Sequence, residues 1–359
     1  MLQTITFKHM NTRMTYRFLP TLSARRVVTV LIMLAFTSVA SAQTIKIATI
    51  APEGSGWMNE MRAGAKEIKE RTDGRVKFKF YGGGVQGNDK QVLRKMRIGQ
   101  LHGGAFTSNA LVAFQKDAVI YGMPMLFSDL DEVRFVRDRM DDTLRELLEQ
   151  AGFVNFGFAS GGFAYMMSNQ PVATLNDMQG LKVWVPDGDI ISYAAAKALG
   201  ISPVTMPLTD VLTGLQTELI DTIMGPPAGT IVLQWNTGVS YITDLPLSYI
   251  FAMLIVEKKY FDRIQPDDQV IVREVMERVY QEFEIQGNAD NEKAYQALLK
   301  DGMESVSPKP EQVSEWQLAI HESNHRLAAE DVVDINMLTE IECYVKAYRS
   351  NELDKDCHQ

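Results

Sequence analysis

The segment His321-Glu322-Ser323-Asn324-His325 comes nearest, in residue types and spacing, to catalytic chemistry. On a helix, residues four apart share a face, so both imidazoles could chelate zinc while Glu322 acted as base. Two features weaken that reading. Arg326 follows directly and would repel a cation. No further histidine lies close downstream, so Glu340 or Glu342 would have to serve as third ligand. The segment is therefore read as an exposed polar helix face, with no metal and no cofactor assigned. A secreted zinc hydrolase is the enzyme alternative.

Gly82-Gly83-Gly84-Val85-Gln86-Gly87 fits the dinucleotide pattern G-x-G-x-x-G. Its partner acid should stand about 20 residues on, where this chain reads Phe106-Thr107-Ser108-Asn109-Ala110. A glycine-rich turn is expected instead. Past residue 42 the histidines are His102, His321, His325 and His358, and no serine–histidine–acid set can be assembled from them. No catalytic residue is assigned. His102 reads as structural, and Asp138, Asp141 and Asp142 as a solvated face. Cys343 and Cys357 could oxidise outside the cytoplasm, tying the tail to the preceding helix, or remain free thiols.

Residues 1–42 read as an export signal. Lys8, Arg13, Arg17, Arg25 and Arg26 precede the uncharged run Val27–Ala40, and Ala40-Ser41-Ala42 offers a cleavage site. The run is shorter than the roughly 20 residues of a membrane span. The expected location is the periplasm, with the signal removed. The formal charge is −9, and loss of the basic leader makes the remainder more acidic still. Bulk charge thus argues against nucleic acid or anionic lipid as partner.

Alternation and capping residues then place the elements. Thr44–Thr49 and Val76–Tyr81 read as strands around a helix over Trp57–Arg71. Asn88-Asp89 should cap a helix reaching Ile98, before a strand over Leu101–Thr107. This order predicts a parallel sheet wrapped by helices. A second such unit follows: strands at Leu181–Val185, Ser202–Met206 and Ile220–Met224, and helices over Asp189–Leu199 and Asp210–Glu218, the latter capped by Thr209. Tyr249–Glu257 reads as a long apolar strand, and the chain beyond Asp267 as mostly helical.

Three segments carry a resemblance: Asp177-Met-Gln-Gly-Leu-Lys-Val-Trp-Val-Pro186, Ala198-Leu-Gly-Ile-Ser-Pro-Val-Thr-Met206 and Val211-Leu-Thr-Gly-Leu-Gln-Thr-Glu-Leu-Ile-Asp221. In order and spacing they are similar to the solute-binding proteins of TRAP transporters, the DctP-type family. The resemblance spans about Thr44 to Ala329. It implies an α/β, two-lobed periplasmic binding protein with a ligand cleft between lobes and long C-terminal helices. The implied division puts residues 43–161 and 249–285 in one lobe, 162–248 and 286–342 in the other, and 343–359 in a tail. The implied partners are a small-molecule ligand and the membrane permease subunits. A possible further partner is a helical-repeat lipoprotein to which ligand is presented.

The departures from the family pattern are at ligand positions. Family members place an arginine, which forks onto a ligand carboxylate, where this chain has Trp184; a second family arginine corresponds to Ala164. A polar run becomes Ile223-Met224-Gly225. Without a guanidinium, a buried dicarboxylate pays a large desolvation cost. The expected ligand is therefore apolar or a monocarboxylate, such as a fatty or aromatic acid. Trp184, Phe163, Ala164, Tyr165, Met224 and Gly225 would line one side. Trp57 would cover the other, with Thr107, Ser108 or Asn109 holding the polar end.

Overall fold

The computed structural model describes residues 42–112 and 115–358, so the expected signal segment lies outside the described residues. Among the described residues no helix is long and apolar enough to cross a membrane.

The chain begins with β1 (Gln43–Thr49), whose Ile45 and Ile47 are fully buried. Helix α1 (Gly56–Arg71) starts where Ser55 accepts from the Met58 amide, and turns Met58, Met61 and Ile68 inward. β2 (Val76–Tyr81) pairs parallel with β1. In α2 (Asp89–Arg97) the Asn88 cap accepts from the Gln91 amide while the Gln91 side chain accepts from the Asn88 amide. That reciprocal box satisfies two amides the first turn would leave open. β3 (Gly103–Thr107) lies beside β1, also parallel. Gly82-Gly83-Gly84 forms the expected turn, its Gly82 amide donating to the Glu53 carboxylate.

Next come α3 (Leu130–Gln150) and β4 (Phe153–Ser168). The second unit follows as β5 (Trp184–Pro186), α4 (Ile190–Ala198), β6 (Val204–Met206), α5 (Val211–Gln216), β7 (Thr222–Gly225), α6 (Pro227–Val232) and β8 (Tyr241–Thr243). Asp189 caps α4 by accepting from the Ser192 amide. The Thr209 side chain caps nothing, because a single 3-10 turn over Leu208–Asp210 leads directly into α5. The chain closes with β9 (Ser248–Glu257), α7 (Lys258–Phe261), α8 (Pro266–Lys300), β10 (Glu304–Val306), α9 (Pro310–Ala329) and α10 (Ile335–Arg349).

The main sheet has the order β10-β8-β4-β9-β3-β1-β2, with β7 also paired to β4. It is parallel across β2-β1-β3, as expected for the first unit, and antiparallel where the later strand β9 meets β3 and β4. β9 is buried on both faces: Met253 and Ile255 pack in one core, Leu254 and Val256 in the other. A strand covered on both sides needs this unbroken apolar run.

β4 is a long strand of 16 residues. Its first part pairs with β9 and its last residues with β7 and β8. The register slips between Asn155 and Phe158 and again between Ser160 and Gly162. Gly157 and Gly162 supply the positive φ, 128° and 76°, that such bulges require. Helix α8 packs on this strand so closely that a Cβ on Gly287 would stand 2.2 Å from the Ser160 carbonyl oxygen.

A buried charge network holds the same region. The Arg137 guanidinium donates to Asp141, to Glu284 at 2.7 Å, to the Tyr249 hydroxyl and to the Phe158 carbonyl. Glu284 also accepts from the Ser160 amide. Asp141 is thus an internal partner rather than part of a solvated face, because Arg137 needs compensation where it is buried. Cys343 and Cys357 form a disulfide with Cα atoms 5.9 Å apart, stitching the tail to α10.

Candidate ligand-binding cleft

Strand ends converge on one cavity. The C-terminal ends of β1 and β3 meet those of β5 and β7 there, and the β4–β9 pair forms the floor. Open α/β sheets place ligand sites at such carboxyl ends. The cavity measures about 390 Å3.

Its walls are largely apolar. Trp184 stands on β5 with its indole edge-on to Trp235, centroids 5.1 Å apart. Its Nε1 donates to the Met206 carbonyl at 3.0 Å, so the ring's polar atom is satisfied while its carbon surface borders the cavity. Ala164, Met224 and Gly225 line the same side, and Trp57 faces them from the start of α1. Among the described residues no arginine lines the cavity.

Thr107 and Ser108 also line it, at the end of β3. The Asn109 side chain lies outside those described. Phe163 and Tyr165 are placed elsewhere. Phe163 is buried against Tyr249, and Tyr165 packs on Tyr295. The reason is the two-residue period of a strand: Ala164 faces the cavity, so its neighbours on either side point away.

Four charged residues at the mouth escaped the sequence reading as ligand groups: Asp89, Lys90, Asp187 and Asp189. The sequence of Asn88-Asp89 signals only a helix cap. Lys90 of α2 donates to Asp187, beyond β5, at 2.9 Å, a bridge across the opening. Asp189 accepts from the Ser192 hydroxyl at 2.6 Å. Asp89 has part of its surface open to the cavity, yet protein atoms enclose it, and that burial pushes its carboxyl up to about 6. No described residue donates a hydrogen bond or ion pair to it. Lys90 is the cation among the lining residues and stands next to it in sequence.

Residues 47–331 match the model of the DctP family, described as bacterial extracellular solute-binding protein, family 7. The chain belongs to this family. DctP-family relatives include a C4-dicarboxylate-binding periplasmic protein of Rhodobacter capsulatus, 25% identical over 308 residues, covering 82% of this chain and 89% of the relative. The fold matches a TRAP periplasmic solute-binding protein of Xanthobacter autotrophicus solved with bound β-D-galacturonate, at TM-score 0.76 and 21% identity, covering 84% of this chain and 99% of that one. It also matches one of Sulfurospirillum deleyianum with bound succinate, at TM-score 0.75 and 18% identity, covering 86% and 99%. The expected α/β, two-lobed architecture with long C-terminal helices is thus present. The protein is a DctP-family solute-binding protein and not an enzyme.

Proposed function

We propose that this DctP-family protein works in the periplasm, capturing a small organic molecule with an apolar body and delivering it to a TRAP-type permease. The single observation that supports an apolar ligand is the indole of Trp184 against the cavity where the family pattern has a guanidinium, with no other arginine among the described lining residues. The curated and solved relatives take dicarboxylates and acidic sugars by name. Such ligands would meet Asp89, Asp187 and Asp189 here and only one lysine. Burying two ionised groups without matching cations is costly.

A monocarboxylic acid suits the lining better. Its carboxylate would lie by Lys90 at the N-terminal end of α2, where helix amides also favour an anion. Asp89, when protonated, would donate to it. The hydrocarbon or aromatic part would lie against Trp184, Met224 and Trp57. A ligand touching both halves stabilises their closed arrangement over the open one. Residues 43–161 with 249–285 and residues 162–248 with 286–342 would be the closing lobes.

Thermal denaturation with octanoate, benzoate and succinate tests this. Octanoate or benzoate should raise the melting temperature and succinate should not. Stabilisation by succinate alone would overturn the apolar reading.

A further inference from the structure

The outer surface of α9 carries a constellation that the ligand cleft does not use. His321 and His325 project from one helical face with ring centroids 4.4 Å apart. The missing third ligand comes from the next helix: the Glu342 carboxylate of α10 lies 3.0 Å from His325 Nε2 and 3.5 Å from His321 Nδ1. The three donor atoms all lie within 4.8 Å of one another. Around a tetrahedral ion with bonds of about 2.0–2.1 Å, donor atoms stand roughly 3.3 Å apart, and the two observed separations bracket that value.

We propose that His321, His325 and Glu342 bind one Zn2+ ion, with water or a small anion in the fourth position. Two imidazoles and one carboxylate form a donor set for borderline divalent ions, whereas Ca2+ and Mg2+ require oxygen-rich shells. Space for a fourth ligand exists, because a hollow of about 310 Å3 opens beside the trio, with Gln317 and Lys346 on its wall. Arg349, on the same wall, is already engaged by Glu132 at 2.7 Å. The Lys346 charge favours an anion over a neutral ligand at the open position.

The ion would bolt α9 to α10 behind the ligand cleft. Ile320, one residue before His321, borders both the cleft and this hollow, as do Pro124 and Met125. Asn324, one residue before His325, donates to the Pro124 carbonyl at 3.0 Å. Metal binding at the trio therefore fixes the helix that forms part of the cleft's rear wall.

The test uses tag-free, EDTA-treated full chain dialysed against Zn2+ alone, with bound zinc measured by elemental mass spectrometry. One zinc per chain is expected, accompanied by a higher melting temperature. His325→Ala and Glu342→Gln should each weaken binding by about tenfold or more, while His358→Ala should leave it unchanged. Co2+ gives a second readout that needs no variant, through the intense visible absorption of a tetrahedral site. Zinc uptake equal in wild type, His325→Ala and Glu342→Gln would overturn the site, as would the lack of any uptake or of the cobalt band.

Discussion

The Lys90 ammonium meets the Asp187 carboxylate at 2.9 Å, joining α2 to the segment after β5 across the mouth of the cavity. Both side chains are well exposed, so solvent screens the pair and its share of overall stability is small, under about 1 kcal/mol. Its position gives it more leverage on the open–closed balance than on folding. Lys90→Ala should leave the melting temperature nearly unchanged but weaken octanoate binding by about fivefold or more, since 1 kcal/mol of lost closure alone gives that factor. Isothermal titration calorimetry beside thermal denaturation checks both halves of the expectation.

Asp89 sets a pH dependence. Its folded carboxyl titrates near 6, above its ordinary value of 3.8, because burial disfavours the charge. Below the lower value the group is protonated whether the chain is folded or not, and it contributes nothing. As pH rises towards 6 the unfolded chain has released a proton that the folded chain retains, so stability falls. Above 6 the penalty is complete, about 3 kcal/mol. Asp89→Asn should therefore stabilise the protein at pH 7.5 and not at pH 3.5, as read by urea denaturation.

The same group should govern binding. An ionised Asp89 repels a ligand carboxylate, and a protonated one donates to it. Octanoate affinity is expected to rise as pH falls from 7.5 to 5.5, and Asp89→Asn should flatten that slope in calorimetry.

Trp184 has two separable roles. Trp184→Phe keeps most of the packing and removes one of the two hydrogen bonds to the Met206 carbonyl, which still accepts from the Asp187 amide, so it should cost only about 0.5–1.5 kcal/mol. Trp184→Ala empties the space beside Trp235 and should cost about 3–5 kcal/mol in chemical denaturation. Trp184→Arg is the informative exchange: octanoate affinity should drop at least tenfold, and thermal shift should show succinate beginning to bind.

Cys343→Ser with Cys357→Ser opens the loop that returns the tail to α10. For a loop of this length the constraint is worth about 3 kcal/mol. The double variant should unfold at lower denaturant concentration, and reducing agent should bring the wild type to the same midpoint.

The strands and helices that fill the cores were legible because their signals are local: β1 and β2 alternate, β9 is one apolar run, and α2 announces its start with Asn88. β4 was not legible. Its glycines look like loop punctuation, yet they serve the two register slips against β9. Likewise Phe163 and Tyr165 sit beside Ala164 in sequence and were grouped with it, although a strand sends neighbours to opposite faces. The mouth residues Lys90 and Asp187 meet only through tertiary structure, and nothing in their own segments signals the pairing. Beside the two histidines of α9 the sequence left Glu340 and Glu342 as alternatives, and the packing of α10 brings Glu342 to them.

In the lobe division proposed above, strand β4 and helix α8 both cross between the halves without interruption, and Gly287 lets them approach closely. Motion between the halves must therefore bend continuous elements, like a leaf spring, rather than swing on slack tethers. It also means that neither half is an independent building block: a hybrid that grafted one half onto a relative's would have to cut through this shared beam.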